Sequence, residues 1–232
     1  MKKSAGILAT LVLNVAFVSM ASAYTISFDA TTKDADGVLT TNQVGAIVWN
    51  FNGGLNTMPS LYTGYTANNA SVVSGSIDGS WAQPGRGSAN QDNTQYLEVG
   101  TTNVNTPGIT VTLNQLYTYF GLYWGSIDNY NYLSFYNGST LVDSFRGDQI
   151  TALEPAPANG DQASKLTNVY VNFHDLPTFN SFRLTSTSAA FEVDNIAVAN
   201  TKASDSVPEP ATLILFGTGL AGLAGLRLRR KK

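Results

Sequence analysis

The chain has 232 residues, with 13 Lys and Arg against 16 Asp and Glu, a single histidine and no cysteine. Cysteine-built zinc sites and disulfides are therefore excluded, His-rich metal sites with them, and any Ser-His-Asp nucleophile would depend on His174. Seven of the cations lie near the two ends, so residues 24–206 keep six cations against 15 acids, about nine net negative charges; such a surface argues against nucleic acid and anionic membrane as partners and is compatible with neutral polymers and divalent cations.

In chain order, Lys2 and Lys3 precede an apolar stretch over 5–18 and then Ala21-Ser22-Ala23. Charged, hydrophobic and small-residue regions in that order read as a secretory signal peptide over 1–23, with cleavage expected after Ala23 and a mature start at Tyr24. Sec machinery and signal peptidase are the partners this implies.

Residues 24–200 read as one domain, long enough for a substantial core. Its predicted strands are 25–28, 46–51, 71–73, 95–99, 109–113, 118–124, 132–136, 140–145, 169–173, 181–185 and 190–198. They are rich in Tyr, Phe, Val, Ile and Thr, several with period two, and turn-forming residues separate them. Helical periodicity over three turns is lacking. Many short strands at turn-rich spacing predict an all-β fold, an antiparallel β-sandwich or jelly roll. Asn137-Gly138 predicts a tight hairpin turn, with Leu133, Phe135 and Leu141 on its apolar face. The run from Tyr119 to Trp124 predicts a central strand buried on both faces. In the last strand, Phe191 and Val193 have one parity and Ile196 and Val198 the other; a bulge at Asp194-Asn195 would bring all four to the core. The stretch 53–95 predicts a long functional or mobile loop carrying Tyr62, Tyr65 and Trp81.

A polar stalk over 201–206 follows. Val207-Pro208-Glu209-Pro210 then predicts an extended, accessible strip, because each proline lacks an N–H and biases its predecessor away from the helix. The apolar run over 211–226 would span about 24 Å at ~1.5 Å per residue, a little short of a ~30 Å hydrocarbon core. Leu228 and snorkelling arginines can make up the difference. Arg227, Arg229, Arg230, Lys231 and Lys232 predict a cytoplasmic C-terminus with the domain outside. The Pro-Glu-Pro break, the hydrophobic helix and the basic end over 207–232 resemble the PEP-CTERM sorting signal of exosortase-dependent bacterial surface proteins. Residues 120–128, the hairpin after them and 186–196 are also similar to a PEP-CTERM family of about this length. The resemblance implies processing by an exosortase at or near Pro208-Glu209-Pro210, transient anchoring in the inner membrane, and a surface or extracellular-matrix location without a known enzymatic activity.

Three constellations are candidates for chemistry. Asp34-Ala35-Asp36-Gly37, with Asp29 before it and Glu192 and Asp194 near the other end, offers oxygen ligands for calcium, as jelly-roll carbohydrate-binding modules use to staple first and last strands; the alternative is solvated turn acids. Trp81, Trp124, Tyr62, Tyr65, Tyr123, Tyr130 and Tyr132 offer flat faces for sugar rings, with Trp124 reading as core and Trp81, Tyr62 and Tyr65 as the ligand-contact candidates. Glycoside hydrolysis needs two opposed carboxylates, and Glu98 or Glu192 is the least arbitrary choice; Asp128 and Asp143 read as turn or edge acids, His174 as a turn residue. The expected function is an exported, non-catalytic cell-surface or matrix protein associated with biofilm exopolysaccharide. The alternatives are a carbohydrate-binding module with structural calcium and, third, a glycan-active enzyme.

Overall fold

The computed structural model describes residues 24–29, 31–103, 105–153 and 158–200. The expected signal peptide, stalk, proline strip and basic-ended helix lie outside the described residues. Among the described ones, no helix is long and apolar enough to cross a membrane.

Among the described residues, twelve strands form two antiparallel sheets packed face to face as a sandwich. They are β1 (Thr25–Asp29), β2 (Ile47–Trp49), β3 (Tyr62–Ala67), β4 (Ala70–Ser74), β5 (Gln95–Val99), β6 (Ile109–Tyr117), β7 (Tyr119–Gly125), β8 (Asn131–Asn137), β9 (Thr140–Arg146), β10 (Val169–His174), β11 (Phe179–Ser186) and β12 (Phe191–Ala199). The larger sheet runs β1-β10-β7-β12-β5-β4, with β2 also paired to β12; the smaller runs β3-β6-β11-β8-β9. One short helix, α1 (Gly147–Thr151), follows β9. Every predicted strand is present. β3 was hidden inside the predicted long loop because Gly64 interrupts its pattern, and its edge position leaves it half wet.

The core lies between the sheets. Phe120, Phe135, Phe173, Phe179 and Phe182 interlock there, with Phe120–Phe182 and Phe120–Phe135 centroids 4.9 and 5.0 Å apart, edge to face. Such pairs add about 0.5–1.5 kcal/mol each beyond area burial. Trp124 stacks on Phe191 at 4.6 Å and belongs to this core, as expected. The hairpin joins β8 and β9 at Asn137-Gly138, where Gly138 has φ 58°. Leu133 and Phe135 point inward, but Leu141 is 53% exposed. A register shift beside Tyr136 turns Leu141 outward and Val142 toward the core, while Phe145, opposite Leu133, stays inward.

β7 is buried along its whole length. Phe120, Leu122 and Trp124 face the core, while Tyr119 and Tyr123 face outward under two excursions of chain. Val38 and Leu39 of the first excursion pack on Tyr123 and Tyr170. Pro84 of the second lies so close over Gly125 that a Cβ there would stand 2.8 Å from the proline ring. The outer face of the larger sheet is thus roofed.

β12 carries the expected bulge. Its register to β7 shifts between Asp194 and Ala197, and Phe191, Val193, Ile196 and Val198 all reach the core. Asn195 takes φ 48°, a region its short amide tolerates. Its Nδ2 donates to Asp34 Oδ2 at 2.8 Å and to Leu39 O at 3.1 Å, pinning the first excursion to the sheet. The bulge leaves Glu192 and Asp194 on the roofed face.

Candidate functional site

Where the roof is incomplete, a cleft of about 430 Å³ opens at one end of the larger sheet. Trp81 forms one wall. It closes a turn in which its N–H donates to Ile77 O at 3.1 Å and its carbonyl accepts from Ile77 N–H at 2.9 Å, with Gly79 at φ 78°. Its indole Nε1 is buried with no hydrogen-bond partner. Asp128, Tyr130, Glu192, Asn159 and Gln162 contribute polar groups to the lining.

Each acid in the cleft is locally anchored. Glu192 Oε1 accepts from Ala82 N–H at 2.9 Å, which ties the Trp81 turn to β12. Glu192 is only 3% exposed, and its carboxyl is pushed up to about 8 by burial, with the Asp128 and Glu98 charges adding to the rise and backbone donors opposing it. Asp128 Oδ2 accepts from the Tyr130 hydroxyl at 2.6 Å, and its backbone N–H donates to Asn131 Oδ1 at 3.0 Å. Burial raises the Asp128 carboxyl as well, and the Tyr130 bond offsets part of that rise. Chemically, the cleft pairs a flat ring with amide, hydroxyl and carboxyl groups, the set that recognises a polyol ring. A largely protonated Glu192 beside a second carboxyl is also a pairing that glycoside hydrolysis can use.

A second acidic group lies deeper under the roof. Asp92 and Asp194 are both fully buried and in mutual side-chain contact, and burial is the largest cause raising each carboxyl. Thr94 Oγ1 donates to Asp92 Oδ1 at 2.7 Å and lies 3.4 Å from Asp194 Oδ2. Asp34 stands across the Asn195 amide, its Oδ1 accepting from the N–H groups of Asp36 and Val38. Asp92 Oδ2 has no hydrogen-bond partner. These oxygen donors are the ones suited to a hard cation. Among the described residues, however, no three Asp, Glu, His or Cys side chains stand together as a ready cage.

The candidates from sequence are therefore dispersed. Asp34 and Asp194 converge, joined by the unforeseen Asp92. Glu192 lies instead in the Trp81 cleft, and Asp36 is exposed and accepts from Asn52 Nδ2 at 3.0 Å. The Asp29 side chain falls outside the described part. Tyr62 is a correction: it is 4% exposed in the core, with its hydroxyl 3.1 Å from Ile196 O, because the inward parity of β3 starts there. Tyr65 is 37% exposed, paired opposite Val111 in the smaller sheet, so it does not join Trp81. Glu98 is buried on β5. His174 Nε2 lies 3.0 Å from Ser27 Oγ. Tyr130, one of the aromatic faces read from sequence, lines the cleft, whereas Asp128 reads from sequence only as a turn acid because an acid in a turn carries no pattern of its own.

Fold and cleft define an antiparallel β-sandwich with a polar, tryptophan-walled recess at one end. Residues 206–231 match the family model of the PEP-CTERM protein-sorting motif, so the chain carries a PEP-CTERM sorting domain, and this indicates exosortase-dependent sorting of a surface protein. No curated protein and no solved structure matches the chain. The match covers the tail and leaves the sandwich to be read from its own geometry.

Proposed function

We propose that this is an exported, exosortase-processed, non-catalytic surface or extracellular-matrix protein whose sandwich holds exopolysaccharide in the Trp81 cleft. The Sec machinery and signal peptidase would deliver it, and the C-terminal segment would anchor it transiently in the inner membrane. The observation supporting a glycan ligand is the Trp81 wall set against Asn159, Gln162, Asp128 and Tyr130. Binding of the full chain, in detergent, to immobilised polysaccharides and a glycan array tests it. Saturable binding is expected, weakened about tenfold or more by Trp81→Ala, as for an aromatic anchor; no ligand for the wild-type chain would refute the reading.

A second reading, a glycan-active enzyme, is favoured by one observation, the raised carboxyl of Glu192 beside Asp128. The same binding assay separates the two. A wild-type chain that shortens its ligand, with Glu192→Gln binding but not cleaving, would replace the non-catalytic reading with the enzymatic one.

A structural-calcium reading would have to draw Asp34, Asp92 and Asp194 together, since they form no ready cage among the described residues. It predicts that millimolar Ca²⁺ raises the melting temperature by several degrees and that EGTA reverses the rise. An unchanged melting temperature would assign the neutralisation of that group to protons alone.

A further inference from the structure

We propose that the outer face of the smaller sheet is a second glycan-binding surface, separate from the Trp81 cleft, and that it takes a carboxylate-bearing polysaccharide at Arg183. The register across β6, β11, β8 and β9 sets Thr110, Arg183, Ser134 and Ser144 in one row. The neighbouring rows hold Thr112, Ser181, Tyr136 and the exposed Leu141 on one side, and Thr185, Tyr132 and Arg146 on the other. Hydroxyls, two tyrosine rings, one leucine and two guanidinium groups make up these rows, with no carboxylate among them.

Arg183 is the cation available to a ligand. The two ion pairs among the described residues are Arg86 with Asp78 and Arg146 with Asp148; Arg183 is in neither. Its guanidinium lies 4.0 Å over the Tyr136 ring, and its Nε is buried without a hydrogen-bond partner. Stacking fixes the plane of the fork, and a fixed fork presents parallel N–H donors to a carboxylate. A shallow groove of about 190 Å³ surrounds it, lined by Tyr132, Ser134, Tyr136, Leu141, Ser144, Arg183 and Thr185. Tyr132 and Tyr136 share this face four residues apart, about 14 Å at ~3.4 Å per residue, and Arg183 pairs opposite Ser134 between them. Ring, cation and ring in line, flanked by hydroxyls, match an extended polyol chain with an acid group near its middle.

The acidic domain does not oppose this ligand. At Arg183 the local field decides, because salt screens charges beyond about 8–10 Å and the rows around it hold no carboxylate. The inference rests on the exported location but not on the Trp81 cleft, which belongs to the other sheet. Two differently selective faces on one sandwich would let a single molecule bridge two polysaccharide chains.

Affinity electrophoresis of the full chain in detergent tests the proposal, with polygalacturonate or neutral dextran in the gel. Wild-type protein is expected to be retarded by polygalacturonate, and Arg183→Gln to bind about tenfold or more weakly. Arg183→Lys should fall between them, because it keeps the charge and loses the fork. Tyr136→Leu should also weaken binding, because it removes the ring that fixes the Arg183 fork. Melting curves for each variant check that it is folded. Equal retardation of wild type and a folded Arg183→Gln, or no retardation of wild type by polygalacturonate, would overturn the assignment.

Discussion

Glu192→Gln is expected to make the protein more stable at pH 8 than wild type, and to flatten its pH profile. Glu192 is buried on β12 with one backbone donor, Ala82 N–H, at 2.9 Å, an interaction that glutamine Oε1 can keep. Its carboxyl titrates at about 8 in the fold, against a usual value of 4.5. The sign follows from that rise. Below about pH 4.5 both folded and unfolded chains hold the proton and the group costs nothing. Between 4.5 and 8 the unfolded chain releases a proton that the fold retains, so stability falls with rising pH until the fold ionises too. A gap of that size corresponds to on the order of 5 kcal/mol, or roughly 10 °C or more in melting temperature for a domain of this length. Asp92, Asp128, Asp194 and Glu98 are also raised by burial and push the wild-type curve in the same direction. Melting temperatures of both chains from pH 5 to 9 give the answer. A Glu192→Gln chain less stable than wild type by the same amount at every pH would mean that the ionised acid is held by a favourable partner.

Much of the scaffold is legible in the chain because short-range physics dictates it. Asn137-Gly138 supplies the positive φ that a two-residue hairpin turn needs. The parity break in Phe191–Val198 can be resolved only by a bulge, and Asn195 is the residue that tolerates it. What escaped depends on long-range register. Leu141 shares the inward parity of Phe145 in sequence, and a one-residue shift beside Tyr136 turns Leu141 outward and Val142 toward the core. Tyr62 read as a loop aromatic because β3 carries a glycine and borders only β6. The roof over the larger sheet has no local signature, since Val38, Leu39 and Pro84 sit in stretches that look like ordinary loops. For that reason the Asp92–Asp194 contact and the grouping of Trp81 with Asp128, Tyr130 and Glu192 could not be foreseen. Acids 58 to 160 positions apart are brought together only by the closed sandwich.

Replacing Pro208, Glu209 and Pro210 together by alanine is expected to abolish C-terminal processing and leave the chain in the membrane. Alanine restores backbone N–H groups and removes the bias against helix at Val207 and Glu209, so the strip could continue the apolar segment upstream as helix. A protease cleft that requires extended backbone would then lose its substrate, while the folded domain, which ends before the stalk, would be untouched. Fractionation of cells carrying the exosortase should show the variant entirely in the membrane and the wild type largely released or at the surface. Equal distribution of the two would remove the role given to the prolines.

Mass spectrometry of the intact protein from exosortase-bearing cells tests the account most directly. The predicted species begins at Tyr24 and has lost the apolar and basic residues after the Pro208-Glu209-Pro210 strip. A wild-type protein that still ends in Lys232 while the processing enzyme is present would contradict it.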